Sequence, residues 1–247
     1  MTGSWIRVWW WLALAGWGCS ALAAERLRIG AEDDWQPYSY AVDGVPRGFA
    51  VDLARAAWAA AGVEVELVSL PYARCMKEVD NNELAGCFDT LRDSRQEARY
   101  RWHQQPLFKA RIGIYARADQ PTSRVDLAAL RGKRIGVTLG YDYGEAFDGD
   151  AAMLRDTAPS DLSSLRKLVV GRVDYALVYD RVATQIARQH PELDQKFRQV
   201  GVLVEPTLYI SFARNYPAIE RYIALFDQGL EKVRKSGEYA RIEARWR

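Results

Sequence analysis

Histidine, cysteine and methionine are scarce in this chain of 247 residues, which holds 2, 3 and 3 of them. Neither His103 nor His190 has neighbours at the spacings that metal ligands require, so we expect ordinary surface histidines, no metal site and no cofactor. Lysine plus arginine (34) nearly balance aspartate plus glutamate (32). No basic cluster is dense enough to follow a phosphate backbone, so a nucleic-acid partner is not expected.

Internal repeats and low-complexity tracts are also absent. The composition, 49% hydrophobic and 27% charged, is that of a globular protein and excludes a disordered chain, a collagen or a coiled coil. Nine tryptophans and thirteen tyrosines exceed the needs of a core of this size. We therefore expect some aromatic rings to line a ligand cleft.

Residues 1–23 are predicted to be a cleavable signal peptide. They contain one cation, Arg7, then an apolar run at 8–15, and end in an A-x-A sequence at 21–23. The apolar run is shorter than the roughly 20 residues of a membrane span. The mature protein is therefore expected in the periplasm. An uncleaved anchor and lipidation of Cys19 are the alternatives.

Export determines which cysteines remain in the mature protein and whether they can form a disulfide. Cleavage would remove Cys19 and leave Cys75 and Cys87 in an oxidising compartment, which favours a disulfide between them. The alternative is a pair of buried free thiols.

Predicted strands alternate with predicted helices along the whole mature chain. Apolar residues at helical spacing from Phe49 onward, stopped by Gly62, indicate one helix, and residues 72–81 indicate the next. A single apolar stripe running from Ile219 to Val233 predicts a long C-terminal helix. Two similar series of this kind predict an α/β protein with two lobes and largely parallel sheets.

Several short segments, taken in order, resemble the family 3 extracellular solute-binding proteins, the polar amino-acid-binding components of ABC importers. The segments are LRIG (27–30), WQPYSY (35–40), GFAVDLA (48–54), GKRIGV (132–137), GRVDYA (171–176) and GEYARI (237–242) with Trp246.

The resemblance implies the type II periplasmic-binding-protein fold, in which two lobes are joined by two crossover strands and close on a ligand. The crossover strands would be residues 112–116 and 208–213. The first lobe would then comprise residues 25–113 plus 207–247, and the second residues 114–206.

An amino-acid ligand needs a partner for its α-carboxylate, because a buried unpaired charge is costly. In the family an arginine after the strand at 86–88 has this role, which points to the stretch that begins at Thr90. Thr90 is itself a predicted ligand contact. Arg95 is the first candidate, Arg92 the second and Arg99 the third. The alternative is a solvated basic start of a helix.

The α-ammonium group needs a carboxylate from the opposite lobe, and the family often places one where Asp180 lies. Tyr179 could occupy that position instead if the register differs by one residue. A plain helix N-cap is the competing interpretation of Asp180.

The resemblance also places Trp35 and Tyr72 as aromatic walls and Glu32 where it can reach a cationic ligand. Gly140, Tyr141 and Asp142 follow a strand and precede a helix, where backbone N–H groups can bind an anion. Tyr141 is bulkier than the small residues that the family tends to use there, as is Tyr143, which suggests a narrower pocket or a different solute.

The function implied is capture of a small polar solute, an amino acid or a related compound, for delivery by a monomer to an ABC permease. A sensor in the inner membrane is the alternative partner. Two other classes remain: a periplasmic enzyme of the same fold, similar to cyclohexadienyl dehydratase, and a purely structural module.

Overall fold

The computed structural model describes residues 26–122 and 124–247. The predicted signal peptide lies outside these residues. Within the part of the chain that is described, no helix is both long enough and apolar enough to cross a membrane.

Most strands belong to two sheets that mix parallel and antiparallel pairs, so the expectation of largely parallel sheets was wrong. The strands are β1 (Leu27–Glu32), β2 (Asp34–Trp35), β3 (Ser39–Val42), β4 (Val45–Arg47), β5 (Val65–Leu70), β6 (Gly86–Leu91), β7 (Arg101–Trp102), β8 (Phe108–Lys109), β9 (Ile112–Arg117), β10 (Arg134–Thr138), β11 (Leu154–Ala158), β12 (Tyr175–Tyr179), β13 (Phe197–Val204) and β14 (Thr207–Phe212).

The first sheet has the strand order β5-β1-β6-β14-β7, with β8 also paired to β14. Its strands β5, β1 and β6 are parallel, whereas β14 runs antiparallel to β6. The second sheet has the order β11-β10-β12-β9-β13, and β10 is parallel to both of its neighbours. A small antiparallel sheet of β2, β3 and β4 follows β1. This architecture confirms the predicted α/β fold class.

Helices cover the sheets. They are α1 (Phe49–Ala60), α2 (Tyr72–Asp80), α3 (Ser94–Glu97), α4 (Glu145–Asp148), α5 (Asp161–Val169), α6 (Asp180–Gln189), α7 (Ile219–Lys235) and α8 (Glu238–Arg245), with a short 3-10 helix at Ala128–Leu130. The apolar stripe of α7 is buried from Ile219 to Val233, as its spacing predicts. Its Phe226 packs on Trp58 of α1, with 4.7 Å between the ring centroids.

The chain passes between the two sheets twice. Only residues 110–111 separate β8 in the first sheet from β9 in the second, and only residues 205–206 separate β13 from β14. Strands β9 and β14, which lie at the positions predicted for the crossover strands, each begin directly after a crossing.

The predicted disulfide is present. Cys75 of α2 and Cys87 of β6 are bonded, with their Cα atoms 6.0 Å apart. Both residues are buried. The bond therefore ties α2 to β6, and both elements carry residues of the site described below.

His103 is wholly buried, so the expectation of a surface histidine was wrong. Its Nε2 accepts a hydrogen bond from the backbone N–H of Ile210 at 2.9 Å, and its ring lies 5.0 Å from that of Phe226. Burial lowers the pKa of His103 to about 3. The imidazole is therefore a neutral part of the core at physiological pH.

Candidate functional site

Residues from both sheets meet at one small cavity. The first sheet contributes the end of β1, part of β6 and the start of α2. The second contributes the loop after β10 and the end of β12. In α/β folds, ligands bind in crevices at the carboxyl ends of the strands. The cavity is lined by Glu32, Trp35, Tyr72, Asp89, Leu91, Tyr141, Asp142 and Tyr179.

Asp89 reaches the cavity because strand pairing is interrupted at this residue. Phe88 pairs with Ile210 and Thr90 pairs with Tyr209, so Asp89 is left without a partner in β14. Its backbone has a φ of 73°. A bulge of this kind redirects a side chain, here toward the cavity that Asp89 lines.

The Asp89 carboxylate is buried without compensation. The residue is 8% exposed, and neither carboxylate oxygen has a hydrogen-bond partner among the described residues. Burial raises the pKa of Asp89 well above its usual value. A buried carboxyl group without partners is uncommon in folded proteins and calls for an explanation.

Glu32, at the end of β1, connects the two sheets through Tyr141. The Tyr141 hydroxyl donates a hydrogen bond to Glu32 Oε1. Burial raises the pKa of Glu32 well above its usual value, and the nearby carboxyl groups of Asp161, Asp89 and Asp34 raise it further. The bond from Tyr141 acts in the opposite direction because it stabilises the charged form.

Aromatic rings form much of the cavity wall. Trp35 is 1% exposed; its ring stacks on Tyr38 with 4.4 Å between centroids and meets Tyr179 edge-on at 4.8 Å. Across the cavity, Tyr72 and Tyr141 meet edge-on at 5.4 Å. These rings exclude water and present negative π faces, which suit an apolar chain or a cation.

Arg95 joins the two halves of the protein. Its Nη2 donates to Asp93 at 2.6 Å, to Asp148 at 2.8 Å and to Asp142 at 3.3 Å. Gln96 Nε2 donates to the other oxygen of Asp142 at 2.8 Å. Asp142 and Asp148 belong to the segment after β10, so these bonds connect the second sheet to the residues after β6. Arg95 does not line the cavity.

Arg92 and Asp180 also lie outside the cavity lining. Arg92 makes two hydrogen bonds to Glu97, at 2.6 and 2.7 Å, and Asp180 accepts one from Arg111 Nε at 3.0 Å. Tyr179, the alternative to Asp180, lines the cavity. The predicted ligand contacts of Arg92, Arg95 and Asp180 stay predictions.

The loop after β10 approaches α2 closely at Gly140. Gly140 has a φ of 82°, and a Cβ atom placed there would lie 2.9 Å from the Cβ of Ala73. Glycine is therefore required both by the backbone conformation and by the contact between the two halves. Thr90, another predicted contact, has its hydroxyl 2.9 Å from that of Ser211 within the first sheet.

A second layer of hydrogen bonds supports this loop. The Tyr143 hydroxyl accepts a bond from the Thr138 N–H at 2.7 Å, and the Thr138 hydroxyl donates to Asp161 Oδ1 at 2.6 Å. Burial raises the pKa of Asp161 to about 7. The loop that carries Tyr141 is thereby fixed to the start of α5.

The surroundings of the cavity are acidic. A neighbouring cavity shares Glu32, Tyr72 and Tyr141 and is also lined by Asp33 and Asp34. Every charged residue that lines either cavity is an aspartate or a glutamate. Among the described residues, no group of three or more His, Cys, Asp or Glu is arranged to hold a metal ion.

The structure brings five of the predicted contacts together at the cavity: Glu32, Trp35, Tyr72, Tyr141 and Asp142. Sequence reasoning missed Asp89 and Leu91. For Asp89 a signal was available, since an aspartate in the middle of the strand GCFDTL, whose residues are all buried, needs a partner of some kind.

Comparison with known proteins identifies the family. The model of the bacterial extracellular solute-binding proteins, family 3, matches residues 27–247. The arginine-binding extracellular protein ArtP of Bacillus subtilis is 20% identical over 241 residues, which cover 95% of this chain and 92% of ArtP.

Solved structures share the fold. A histidine kinase sensor domain with similarity to periplasmic binding proteins superposes with a TM-score of 0.79 and 22% identity, covering 90% of this chain and 96% of that one. The arginine-, lysine-, histidine-binding protein ArtJ of Geobacillus stearothermophilus has a TM-score of 0.75 and 22% identity, covering 90% and 95%. The two-sheet fold and the family match over residues 27–247 agree: the chain belongs to the bacterial extracellular solute-binding proteins, family 3.

Proposed function

We propose that this protein captures a small polar solute, an amino acid or a related compound, in the cavity between its two sheets and delivers it to an ABC importer. The two lobes are residues 25–113 plus 207–247 and residues 114–206, and they close on the solute. The protein acts as a monomer. The protein binds and releases its solute without chemical change.

The observation that carries the proposal is the buried cavity itself. It takes residues from both sheets and is walled by Trp35, Tyr72 and Tyr179. It also contains the carboxylate of Asp89, which has no hydrogen-bond partner among the described residues. A cavity that combines aromatic walls with a few convergent polar groups is typical of a small-molecule site. A solute bound there would contact both lobes and so favour their closure.

Known relatives support an amino acid or a related cation as the solute. ArtP is an arginine-binding protein, and ArtJ is an arginine-, lysine-, histidine-binding protein. The acidic lining here suits a positively charged solute of that kind.

We place the mature protein in the periplasm, after cleavage of residues 1–23. The order of a single cation, a short apolar run and an A-x-A sequence supports export, as does membership of an extracellular family. A permease in the inner membrane is the partner that transport requires.

A sensor in the inner membrane is the second candidate partner, favoured by the likeness to a histidine kinase sensor domain. In that case the same closure on the solute would report its concentration rather than deliver it. Uptake of labelled solute by cells with and without the gene distinguishes the two, since only the transport role predicts reduced uptake in its absence.

The test of solute capture is a thermal-shift and calorimetric screen of residues 24–247 against amino acids and small amines. A ligand that binds only the folded state at 100 times its Kd adds about 2.7 kcal/mol to the unfolding free energy, so the melting temperature rises. Trp35→Phe should weaken binding because it removes part of the cavity wall. Trp246→Phe, the same change outside the cavity, should not. Absence of a shift and of heat with every compound would refute solute capture.

A further inference from the structure

We propose that the solute is an organic cation without a carboxylate group, an amine or a guanidine, and that Asp89 binds its positively charged group. This inference rests on the proposed function and narrows it, because it separates the solute of this protein from free amino acids.

The first argument is the charge of the cavity. Glu32, Asp89 and Asp142 line it, and no lysine, arginine or histidine does. An amino acid would bring its α-carboxylate into a dry site whose lining residues supply no cation to pair with it, and a buried unpaired charge is costly. Decarboxylation of the same compound removes that cost and leaves the attraction of its cationic groups.

The second argument is the state of Asp89. Both of its oxygens are buried and lack hydrogen-bond partners among the described residues. An ammonium or guanidinium group would supply donors and an opposite charge at once, which is the usual compensation for a buried carboxylate. The strand bulge at Asp89 directs its side chain toward the cavity. Within the described residues, no hydrogen bond engages the carboxylate.

The third argument concerns Arg95, the first candidate to hold an α-carboxylate. Its Nε and Nη2 donate to Asp93, and Nη2 also reaches Asp142 and Asp148. Recruiting this guanidinium for a ligand would break the bonds that connect the two halves. It would also leave those aspartates facing one another without a cation.

The fourth argument concerns the backbone donors of the loop after β10. The N–H of Leu139 donates to the Ala158 carbonyl, that of Tyr141 to the Thr138 carbonyl and that of Tyr143 to Asp148 Oδ2. These groups could otherwise have bound an anion. Their engagement within the protein leaves fewer N–H groups of this loop to bind an anion.

The experiment compares ligands that differ only by a carboxylate. Titration calorimetry at pH 7.5 with residues 24–247 measures the Kd of arginine against agmatine and of lysine against cadaverine. We expect the decarboxylated member of at least one pair to bind at least about 100-fold more tightly, given the cost of burying a further carboxylate beside Asp89.

A variant tests the assignment to Asp89. Asp89→Asn keeps the size of the side chain and removes its charge, so the affinity for the preferred cation should fall at least about 10-fold. The matched control is Asp119→Asn, an exposed aspartate paired with Arg117 outside the cavity, which should bind as the wild type does. Thermal unfolding of each variant without ligand confirms that it is folded.

The outcomes separate this inference from the proposed function. If arginine and lysine each bind as tightly as their decarboxylated partners, the inference is overturned and solute capture still stands. Tighter binding of the amine with unchanged affinity in Asp89→Asn would overturn the role of Asp89. If no compound in the screen binds, both proposals fail.

Discussion

Buried carboxyl groups beside the cavity make the stability of the folded state depend on pH. Burial raises the pKa of Asp161 from 3.8 to about 7, and it raises the pKa of Glu32 and Asp89 well above their usual values. Such groups stay protonated in the folded protein at pH values where the unfolded chain has released the proton. Their stabilising effect is therefore complete below the unfolded pKa and is lost as the pH rises through the folded pKa.

We expect Asp161→Asn to reduce the loss of stability between about pH 4 and about pH 7. A shift of this size corresponds to about 4 kcal/mol for Asp161 alone. The asparagine cannot ionise, yet its Oδ1 can still accept the bond from the Thr138 hydroxyl. Urea unfolding of the ligand-free protein at a series of pH values measures the effect.

Glu32 and Asp89 remain in this variant, so part of the pH dependence should persist. Asp119→Asn, which removes an exposed carboxylate, is the control and should follow the wild type. Equal slopes for Asp161→Asn and wild type would contradict the raised pKa of Asp161.

At the residue scale, the sequence predicts which kinds of side chain line the cavity better than it predicts the groups that each side chain contacts. Trp35, Tyr72 and Glu32 could be assigned to the cavity because the resemblance to the solute-binding family places them there. Asp89 could not, since its orientation depends on a bulge against β14, which lies more than a hundred residues further along the chain. Strand alternation alone does not reveal where such a bulge falls.

At the scale of single elements, the disulfide links the helix and the strand that carry Tyr72 and Asp89. The bonded cysteines are separated by 12 residues. In the chain-entropy model a loop of this length contributes about 3 kcal/mol by restricting the unfolded state.

The double variant Cys75→Ala/Cys87→Ala should therefore lose about 3 kcal/mol of unfolding free energy. Its solute affinity should also fall, because α2 and β6 are no longer tied together beneath the cavity. Urea unfolding measures the first effect and calorimetry the second. Full thiol labelling of the native wild-type protein without reductant would contradict the presence of the bond.

The elements that the sequence predicts well are those with strong local periodicity. The stripe on α7 and the helix from Phe49 to Ala60 follow directly from the spacing of apolar residues. Strict alternation of apolar and charged residues at 63–67 predicts a strand there. The structure has this strand at Val65–Leu70, where its register is set by pairing with β1. Pairing between strands that are distant in sequence decides where such a strand begins and ends. A local sequence pattern carries no information about that pairing.

At the scale of the whole molecule, the two halves must approach closely for the cavity to form, and Gly140 lies at that contact. We expect Gly140→Ala to weaken solute binding at least about 10-fold, because its Cβ would meet Ala73 across the cleft in addition to straining the backbone. Calorimetry with the preferred solute measures the loss.

Gly132→Ala is a matched control for this effect. Gly132 has a φ of 71°, close to that of Gly140, but a Cβ atom there would meet no atom within 4 Å. Both variants should lose similar backbone stability, whereas only Gly140→Ala should lose affinity. An equal effect of the two on the Kd would show that backbone strain, and not closure, is responsible.

The proposed closure of the two lobes also depends on the charges around Arg95. Arg95 and Arg92, the first and second candidates for a ligand contact, have different partners in the structure. Arg95 bonds to Asp142 and Asp148, 47 and 53 residues away, whereas Arg92 bonds to Glu97 within the same segment. The spacing of the two arginines does not reveal this difference, since it arises only when the loop after β10 packs against the residues after β6.

Arg95→Ala should therefore favour the open form, while Arg92→Ala should leave closure unchanged. Part-exposed ion pairs contribute about 0.2–1 kcal/mol each, so losing this set should cost about 1–2 kcal/mol of closure and lower solute affinity roughly 5- to 30-fold. Small-angle scattering of the ligand-free protein should give a larger radius of gyration for Arg95→Ala only.

High salt should produce the same change in the wild type, because it screens the same charges. If Arg95→Ala instead abolished binding of arginine and left that of agmatine intact, the guanidinium would hold a ligand carboxylate and not the two lobes.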